Sequence, residues 1–244
     1  MKFLLTFIFC SWFSFSLFSQ VGKVGGQKDQ FKAIDSVLGQ VLKDHHVAGF
    51  AVAVVKGDKI IYNKGFGYRD FANKKPVTPN TLFAIGSSSK AFTASLLGLL
   101  RADGKLTFED RAVSLLPALR FYNDEMDNQI VVKDLMAHRT GLSRYDLSWF
   151  LFNSKNRESL ISRVRFMKPS SGLRMQWFYN NFMYLAQGMI VERLSGETWE
   201  QNIQEKFFTP LEMTRSNTDL LAFQRDSDAS LPYTLSKDNT IKLI

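Results

Sequence analysis

The chain has 244 residues and a formal net charge of +8, with 45% hydrophobic and 22% charged residues. This composition is typical of a globular protein with enough apolar material for a sizeable core. Its lysines and arginines are scattered, with no basic stripe among aromatic residues, so a nucleic-acid partner is not expected. The excess charge indicates a basic surface, and attraction to anionic polymers or lipid headgroups is the alternative.

Residues 1–19 have the pattern of a signal peptide. Lys2 supplies the positive start, and residues 3–18 are apolar apart from serine and threonine. Ser14 and Ser16 have the spacing of a cleavage site, and Ser19 before Gln20 is a second option. An uncleaved anchor is the alternative, because no charged residue occurs between Lys2 and Lys23. Either reading predicts export of residues 20–244 to the periplasm or the cell exterior, with no membrane contact beyond the export signal.

The first elements after this segment predict a helix and a hairpin. Apolar residues recur at helical spacing between residues 29 and 44. Residues 50–56 and 59–67 are rich in β-branched residues, and the intervening Gly57 suits a type II′ turn. A lone hairpin is barely stable, so more sheet is expected, and residues 240–244 resemble the start of another strand.

A long helical stretch follows the hairpin. Residues 87–101 are apolar nearly all round, which is typical of a helix buried in the centre of a domain. Another helix is predicted from Asn180 or Asn181 to Leu194, and one more over residues 198–207. The order of elements predicts an α/β (α+β) fold in which helices flank an antiparallel sheet and an all-helical lobe is inserted.

Ser87 and Lys90 are the first candidate catalytic residues along the chain. Three positions apart on a helix, their side chains lie on the same face. A serine hydroxyl is a weak nucleophile until a base removes its proton, and burial favours the neutral amine that can act as such a base. An N-cap serine followed by a surface lysine is the structural alternative for this short motif.

Tyr179-Asn180-Asn181 is the second candidate element, where an irregular stretch meets the helix that ends at Leu194. A phenol at this place can carry protons, and an amide can orient a bound carbonyl group. A tyrosine beside a helix-capping asparagine is the alternative reading.

Together these elements resemble the serine β-lactamase and penicillin-binding-protein superfamily, and most closely its class C β-lactamase-like branch. That branch carries a Tyr-x-Asn element, as Tyr179 and Asn181 stand here. Residues 50–67, 135–142 and 210–213 are similar to its first hairpin, its Thr-Gly-Leu turn and its Pro-Leu-Gly-Met segment. The resemblance covers nearly all of residues 20–244 and implies a β-lactamase/transpeptidase-like fold.

The resemblance also implies a role for each matched residue. Ser87 would form an acyl-enzyme with an amide or ester substrate, and Lys90 would help to deprotonate it. Tyr179 would carry protons, and Asn181 would bind substrate or Lys90. The backbone N–H of Ser87 would supply half of an oxyanion hole. The substrate would be a β-lactam, a D-amino peptide, a peptidoglycan stem or an ester, and no cofactor is implied.

One departure from the family is serious. The third family element, Lys-Thr-Gly or His-x-Gly on a core strand, has no match after Asn181, and Arg139-Thr140-Gly141 precedes Tyr179 and fits a turn instead. The domain is therefore expected to be incomplete at its C-terminus. A non-catalytic binding or sensor protein, or a truncated pseudoenzyme on the same scaffold, is the alternative function.

Other chemistries find little support in the composition. Cys10 is the only cysteine and lies in the export segment, which excludes a thiol nucleophile or disulfide in the remainder. His138 is the best base for a Ser-His-Asp triad, but no Gly-x-Ser-x-Gly elbow is present. We expect it to contact carbonyl groups at a helix end. No His-Glu-x-x-His pair occurs, and no metal is assigned.

Overall fold

The computed structural model describes residues 31–244, so the predicted signal peptide and the first residues of the predicted first helix lie outside it. These residues form two compact units, one of residues 31–79 and 232–244 and the other of residues 80–231. Within the described range, no helix has the length and hydropathy needed to cross a bilayer.

The first unit combines one helix with short antiparallel sheets. Its elements are α1 (Lys32–Asp44), β1 (Gly49–Lys56), β2 (Lys59–Asp70), β3 (Lys75–Pro76), β4 (Tyr233–Leu235) and β5 (Ile241–Leu243). The sheet order is β1-β2-β3, and β4 pairs with β5 in a separate hairpin. The predicted first hairpin and the strand near residue 240 are therefore present, whereas β3 and β4 were not predicted.

Local chemistry fixes the first hairpin. Gly57 takes a φ of 62° at the turn, which a glycine adopts without steric cost. A bulge between Val54 and Val55 shifts the register of the ladder, so that Val55 pairs with Ile60. The Asp35 carboxylate of α1 accepts hydrogen bonds from Tyr62 and Lys64 of β2, which ties the helix to the strand.

The second unit is helical. It contains α2 (Ser89–Ala102), α3 (Ala112–Leu115), α4 (Asp124–Gln129), α5 (Val132–Met136), α6 (Leu147–Leu151), α7 (Arg157–Ile161), α8 (Asn181–Ser195), α9 (Trp199–Ile203) and α10 (Leu220–Arg225). Short 3₁₀ turns at Gly86–Ser88 and Ser162–Phe166 precede α2 and follow α7, and a π-helical turn at Gln204–Phe208 extends α9. The helical elements after α2 correspond to the all-helical lobe that the sequence predicts after the Ser87 helix, and α2 belongs to the same unit.

The core of the second unit lies around α2 and α8. These helices pack against each other, and α5, α7 and α9 contact α8. Fully buried side chains in this core include Leu97, Leu135, Ile161, Phe182 and Ile190. The indole Nε1 of Trp199 donates a hydrogen bond to Thr93 Oγ1 at 3.0 Å and thereby links α9 to α2.

The expectation that α2 is buried on all sides is wrong among the described residues. Its buried side chains are Thr93, Leu96, Leu97 and Leu100, which lie on one face, while Leu99 remains 43% exposed. An apolar helix pattern shows which side chains can be buried, but only neighbouring elements decide which of them are.

The ends of α8 follow the sequence signals. Asn180 is the N-cap, and its Oδ1 accepts a hydrogen bond from the Phe182 N–H at 2.8 Å. Gly196 ends the helix in the left-handed conformation at a φ of 81°. Asn181 is thus the first residue of the helix itself, which settles the choice between the two asparagines.

Candidate active site

The turn that leads into α2 positions the first two candidate residues. Gly86 has a φ of 51°, and Ser87 follows it with an exposed side chain. One helical turn further on, Lys90 Nζ donates a hydrogen bond to Ser87 Oγ at 3.1 Å. The helical spacing therefore brings the amine to the hydroxyl, as predicted. Lys90 is only half-buried, so the expected deep burial of this amine is not observed in the part of the chain described.

The start of α8 supplies the other two candidate residues. The Tyr179 hydroxyl hydrogen-bonds to Ser87 Oγ across 92 positions of sequence. Asn181 Oδ1 accepts a hydrogen bond from Lys90 Nζ at 2.8 Å. The structure thus brings Ser87, Lys90, Tyr179 and Asn181 into one hydrogen-bonded group, all within the second unit.

Electrostatics at this group act mainly on Tyr179. Burial is the largest single influence and raises the pKa of the phenol. Hydrogen bonds with Lys90 and Ser87, together with the positive charges of Lys90 and Arg144, outweigh burial and leave the pKa of Tyr179 below its ordinary value. The Lys90 ammonium also lies 4.7 Å from the centre of the Tyr179 ring. The site therefore favours the phenolate more than water does.

The His138 ring packs against the Tyr179 ring. Its ring centroid lies 4.7 Å from that of Tyr179 and 5.2 Å from that of Tyr184. Its Nδ1 accepts a hydrogen bond from the Asn180 N–H at 3.1 Å. Burial, and then the charge of Lys90, lower the pKa of His138 below its ordinary value. The expected contact of this side chain with helix-end carbonyl groups is replaced by packing against the candidate site.

Asn180 fastens the same region to the chain after α5. It is fully buried, and its Nδ2 donates a hydrogen bond to the Ser143 carbonyl oxygen at 2.6 Å. The carbonyl oxygen of His138 accepts a hydrogen bond from the Phe178 N–H at 3.0 Å. These bonds hold the segment before α8 against residues 138–143, and so fix Tyr179 relative to the core.

Arg144 and Trp177 border the group and were not anticipated from the sequence. The Arg144 guanidinium lies 5.0 Å from the centre of the Tyr179 ring, and its Nε donates to Asp146 Oδ2 at 2.6 Å. Trp177 is 63% exposed and packs edge-on against His138. Neither residue stands in a motif, because each approaches the site through the folding of a loop.

Arg139-Thr140-Gly141 forms a turn after α5, as predicted. His138 and Gly141 have φ angles of 57° and 85°. A Cβ added to Gly141 would lie 2.4 Å from the Ser171 carbonyl oxygen, so only glycine fits there. This tripeptide resembles the third family motif in its letters alone.

A cavity of about 540 Å³ is lined in part by Gly86 and Ser89, on the turn that leads into α2 and at the start of that helix. It is lined mainly by apolar side chains, among them Phe83, Ile85, Phe92, Trp199 and Phe208. Ser87 and Tyr179 do not line it. Residues 31–244 also contain no group of three His, Cys, Asp or Glu side chains arranged to hold a metal ion.

Comparison with known proteins places the chain in a family. The Beta-lactamase family model matches residues 34–242. A relative from Aspergillus campestris, Unguisins hydrolase ungD', is 32% identical over 185 residues, which make up 72% of this chain and 34% of that protein. The chain therefore spans only about a third of the length of this relative.

Solved structures give the same result. The octameric penicillin-binding protein homologue from Pyrococcus abyssi superposes with a TM-score of 0.76 at 26% identity, over 86% of this chain and 49% of that one. A class C β-lactamase superposes with a TM-score of 0.74 at 23% identity, over 89% and 58%, and this likeness concerns the fold alone. The fold is thus β-lactamase/transpeptidase-like, and the chain belongs to the Beta-lactamase family.

Proposed function

We propose that the protein is a serine hydrolase that acts on an amide or ester through an acyl-enzyme at Ser87. The observation that carries the proposal is that Ser87 Oγ is hydrogen-bonded by both Lys90 and Tyr179. A serine hydroxyl becomes a competent nucleophile when a neighbouring base takes its proton. The family relation supports serine hydrolase chemistry in general, and the name of the Aspergillus campestris relative also denotes a hydrolase.

The hydrogen bond between Tyr179 and Ser87 Oγ, together with the lowered pKa of the phenol, supports Tyr179 as the base. In the phenolate form, Tyr179 Oη accepts the proton of Ser87 as Oγ attacks the substrate carbonyl carbon, and the carbonyl electron pair moves onto its oxygen. Lys90 stabilises the phenolate by its charge, and Asn181 Oδ1 holds the Lys90 ammonium in place. Tyr179 thus moves the proton, Lys90 stabilises the charge of Tyr179, and Asn181 positions Lys90.

The remaining steps return the proton. As the tetrahedral intermediate collapses, the bond to the leaving nitrogen or oxygen breaks, and Tyr179 donates the proton to the leaving group. A water molecule then gives its proton to Tyr179 and attacks the ester carbon, and the collapse of this second intermediate breaks the bond to Ser87 Oγ. The acid is released, and Tyr179 gives its proton to Ser87 Oγ, which restores both the hydroxyl and the phenolate. The Ser87 N–H, in the first turn of a helical segment, would donate to the oxyanion.

A fluorophosphonate probe tests this proposal directly. We expect covalent labelling of Ser87, located by peptide mass spectrometry, and loss of the label in Ser87→Ala. Ser88→Ala is the matched control, because Ser88 is an exposed serine of the same turn and should leave labelling unchanged. Persistence of the label in Ser87→Ala, or no adduct on a folded sample, would overturn the proposal.

The substrate class is tested with a panel that contains a β-lactam, a D-amino peptide and a simple ester. Turnover of one class by the parent and not by Ser87→Ala would assign it. Stoichiometric acylation without turnover would favour a binding or sensor protein on the same scaffold. Reading the coding sequence beyond codon 244 adds a second discriminator, because an in-frame Lys-Thr-Gly or His-x-Gly strand would favour the enzyme.

A further inference from the structure

An exposed apolar patch lies on α6, on the residue that follows α6, and on the 3₁₀ turn that follows α7. The patch consists of residues that are each 65% to 79% exposed: Leu147, Phe150, Leu151, Phe152 and Phe166. None of these residues belongs to the Ser87 group. Large apolar side chains crowded together in water normally mark a surface that contacts something else.

The patch is rigidly supported from within. Trp149 turns inward and stacks on Phe182 at 4.1 Å, so α6 is fastened to the core by one aromatic ring while its other side faces water. Arg163 Nη1 donates to the Ser148 carbonyl oxygen at 2.6 Å, which holds the 3₁₀ turn against α6. The Tyr145 hydroxyl donates to the Lys168 carbonyl oxygen at 2.6 Å, which also links the residues before α6 to those after the 3₁₀ turn. The apolar side chains are therefore presented on a fixed surface.

The segment that carries the patch is positively charged. Residues 139–168 contain seven basic and two acidic residues, a net charge of +5 out of +8 for the whole chain. Two of these cations are paired, Arg144 with Asp146 and Arg157 with Glu192 and Glu200. Lys155, Arg165 and Lys168 are among the exposed cations, and the Arg165 guanidinium lies 5.5 Å from the centre of the Phe166 ring.

We propose that this patch docks the protein on an anionic lipid surface. Exposed aromatic and aliphatic side chains on a basic segment suit the boundary between lipid headgroups and acyl chains. The basic residues supply attraction to anionic headgroups, and the apolar ones enter the interface. A second copy of the chain fits less well, because two faces of the same positive charge repel each other. The proposal replaces the expectation that lipid contact is confined to the export signal.

Docking through the patch would bring the candidate site close to the lipid. Arg144, three residues before the patch, lies over the Tyr179 ring. The catalytic group would then face substrates that are attached to, or concentrated at, an anionic surface. This consequence does not depend on the acyl-enzyme proposal, because binding to lipid is measured without any reaction.

Sedimentation with vesicles tests the docking surface. We compare vesicles of equal parts phosphatidylglycerol and phosphatidylcholine with vesicles of phosphatidylcholine alone. We use the full chain and a form that begins at Gln20, because the apolar residues 3–18 can bind lipid themselves. The form that begins at Gln20 decides the result. It should bind the anionic vesicles, bind the neutral ones at least about tenfold more weakly, and lose binding near 0.5 M salt.

Two double variants separate the patch from general hydrophobicity. Phe150→Ser/Leu151→Ser should weaken binding to anionic vesicles by about tenfold or more. The matched control, Leu220→Ser/Leu221→Ser, removes two exposed leucines of α10 and should leave binding unchanged. Circular dichroism verifies that both variants are folded. Arg165→Gln/Lys168→Gln should weaken binding and reduce its dependence on salt.

Four results would overturn the proposal. They are absence of binding by the form that begins at Gln20, equal binding by the patch variant and the parent, and equal loss in the α10 control. The fourth is a concentration-dependent dimer that disappears in the patch variant, which would assign the surface to a second copy of the chain.

Discussion

The imidazole Nδ1 of His138 accepts a hydrogen bond from the backbone N–H of Asn180, at the residue that caps α8. A neutral histidine that accepts at Nδ1 carries its proton on Nε2. The same ring packs against Tyr179, so one side chain fixes both the backbone before α8 and the phenol that contacts Ser87.

Removal of this ring should misplace the phenol without removing any reacting atom. We expect His138→Ala to slow fluorophosphonate labelling of Ser87 by about tenfold or more, because small displacements of catalytic groups are costly. His138→Asn retains an acceptor near the position of Nδ1 and should recover part of the rate. Equal rates for the two variants would show that the Asn180 hydrogen bond does not position the site.

The stability of the fold should fall in mild acid because of His138. An unfolded chain protonates histidine near pH 6.5, whereas burial and Lys90 hold the pKa of His138 lower in the folded state. The unfolded state therefore binds more protons as the pH falls. The stabilising contribution of neutral His138 is present above about pH 6.5 and is lost as the pH falls through the folded pKa.

Urea unfolding from pH 8 to pH 5 measures this effect. The free energy of unfolding should decrease more steeply for the parent than for His138→Asn, since His45 and His46 are present in both proteins. Parallel curves would show that His138 titrates alike in the folded and unfolded states.

Tyr179 should ionise before an ordinary tyrosine. A spectroscopic titration at 295 nm is expected to show one early phenolate transition that is absent from Tyr179→Phe. Lys90→Met should raise the midpoint of that transition, because it removes a hydrogen bond and a positive charge from the phenolate. Tyr179→Phe keeps the ring that packs on His138 and should slow acylation by roughly a hundredfold. An unchanged midpoint in Lys90→Met would contradict the electrostatic account.

The buried carboxylate of Asp134 should be costly to leave unpaired. Its two oxygens accept from Arg174 Nε and Nη2, each at 2.8 Å, and Oδ2 also accepts from the Val131 N–H at 3.0 Å. We expect Arg174→Ala to lower the free energy of unfolding by about 2–3 kcal/mol, because Arg174 is partly exposed and the pair is not fully buried. Lys133→Ala breaks an exposed ion pair with Glu109 and should cost less than about 1 kcal/mol. Similar losses in the two variants would refute the role of burial.

The one-sided burial of α2 can be measured with two leucines of that helix. Leu97 is fully buried and Leu99 is 43% exposed. Leu97→Ala should lower the free energy of unfolding by about 2–5 kcal/mol, because it leaves a cavity in the core. Leu99→Ala should cost less than about 1 kcal/mol. A large loss at Leu99 would mean that this face of α2 is covered.

The sequence predicted the elements with strong local signals. Asn180 and Gly196 delimit α8 because a capping side chain and a left-handed glycine act within a few residues. The proximity of Ser87 and Lys90 follows from helical geometry alone. The contact of Tyr179 with Ser87 does not follow from local rules, and only the resemblance to a family predicted that the two elements belong together.

Other features depend on tertiary structure and left no readable pattern. His138 acts through a loop that turns at positive φ, and Arg144 reaches the Tyr179 ring from the next part of that loop. The short β3 and β4 strands carry too few residues for an alternation to be visible. The exposure of Leu99 reflects which neighbours pack on α2, and a single helix pattern cannot report that.

Residues 179, 180 and 181 have three tasks in direct succession: contact with the nucleophile, capping of α8, and contact with Lys90. A single-residue insertion or deletion next to them would rotate every side chain that follows and would disable the cap and the site together. Length changes between His138 and this tripeptide should therefore accumulate in the largely exposed loop 152–155, before α7 begins. The length of that loop can therefore vary among related sequences, whereas the spacing of residues 179, 180 and 181 must stay the same.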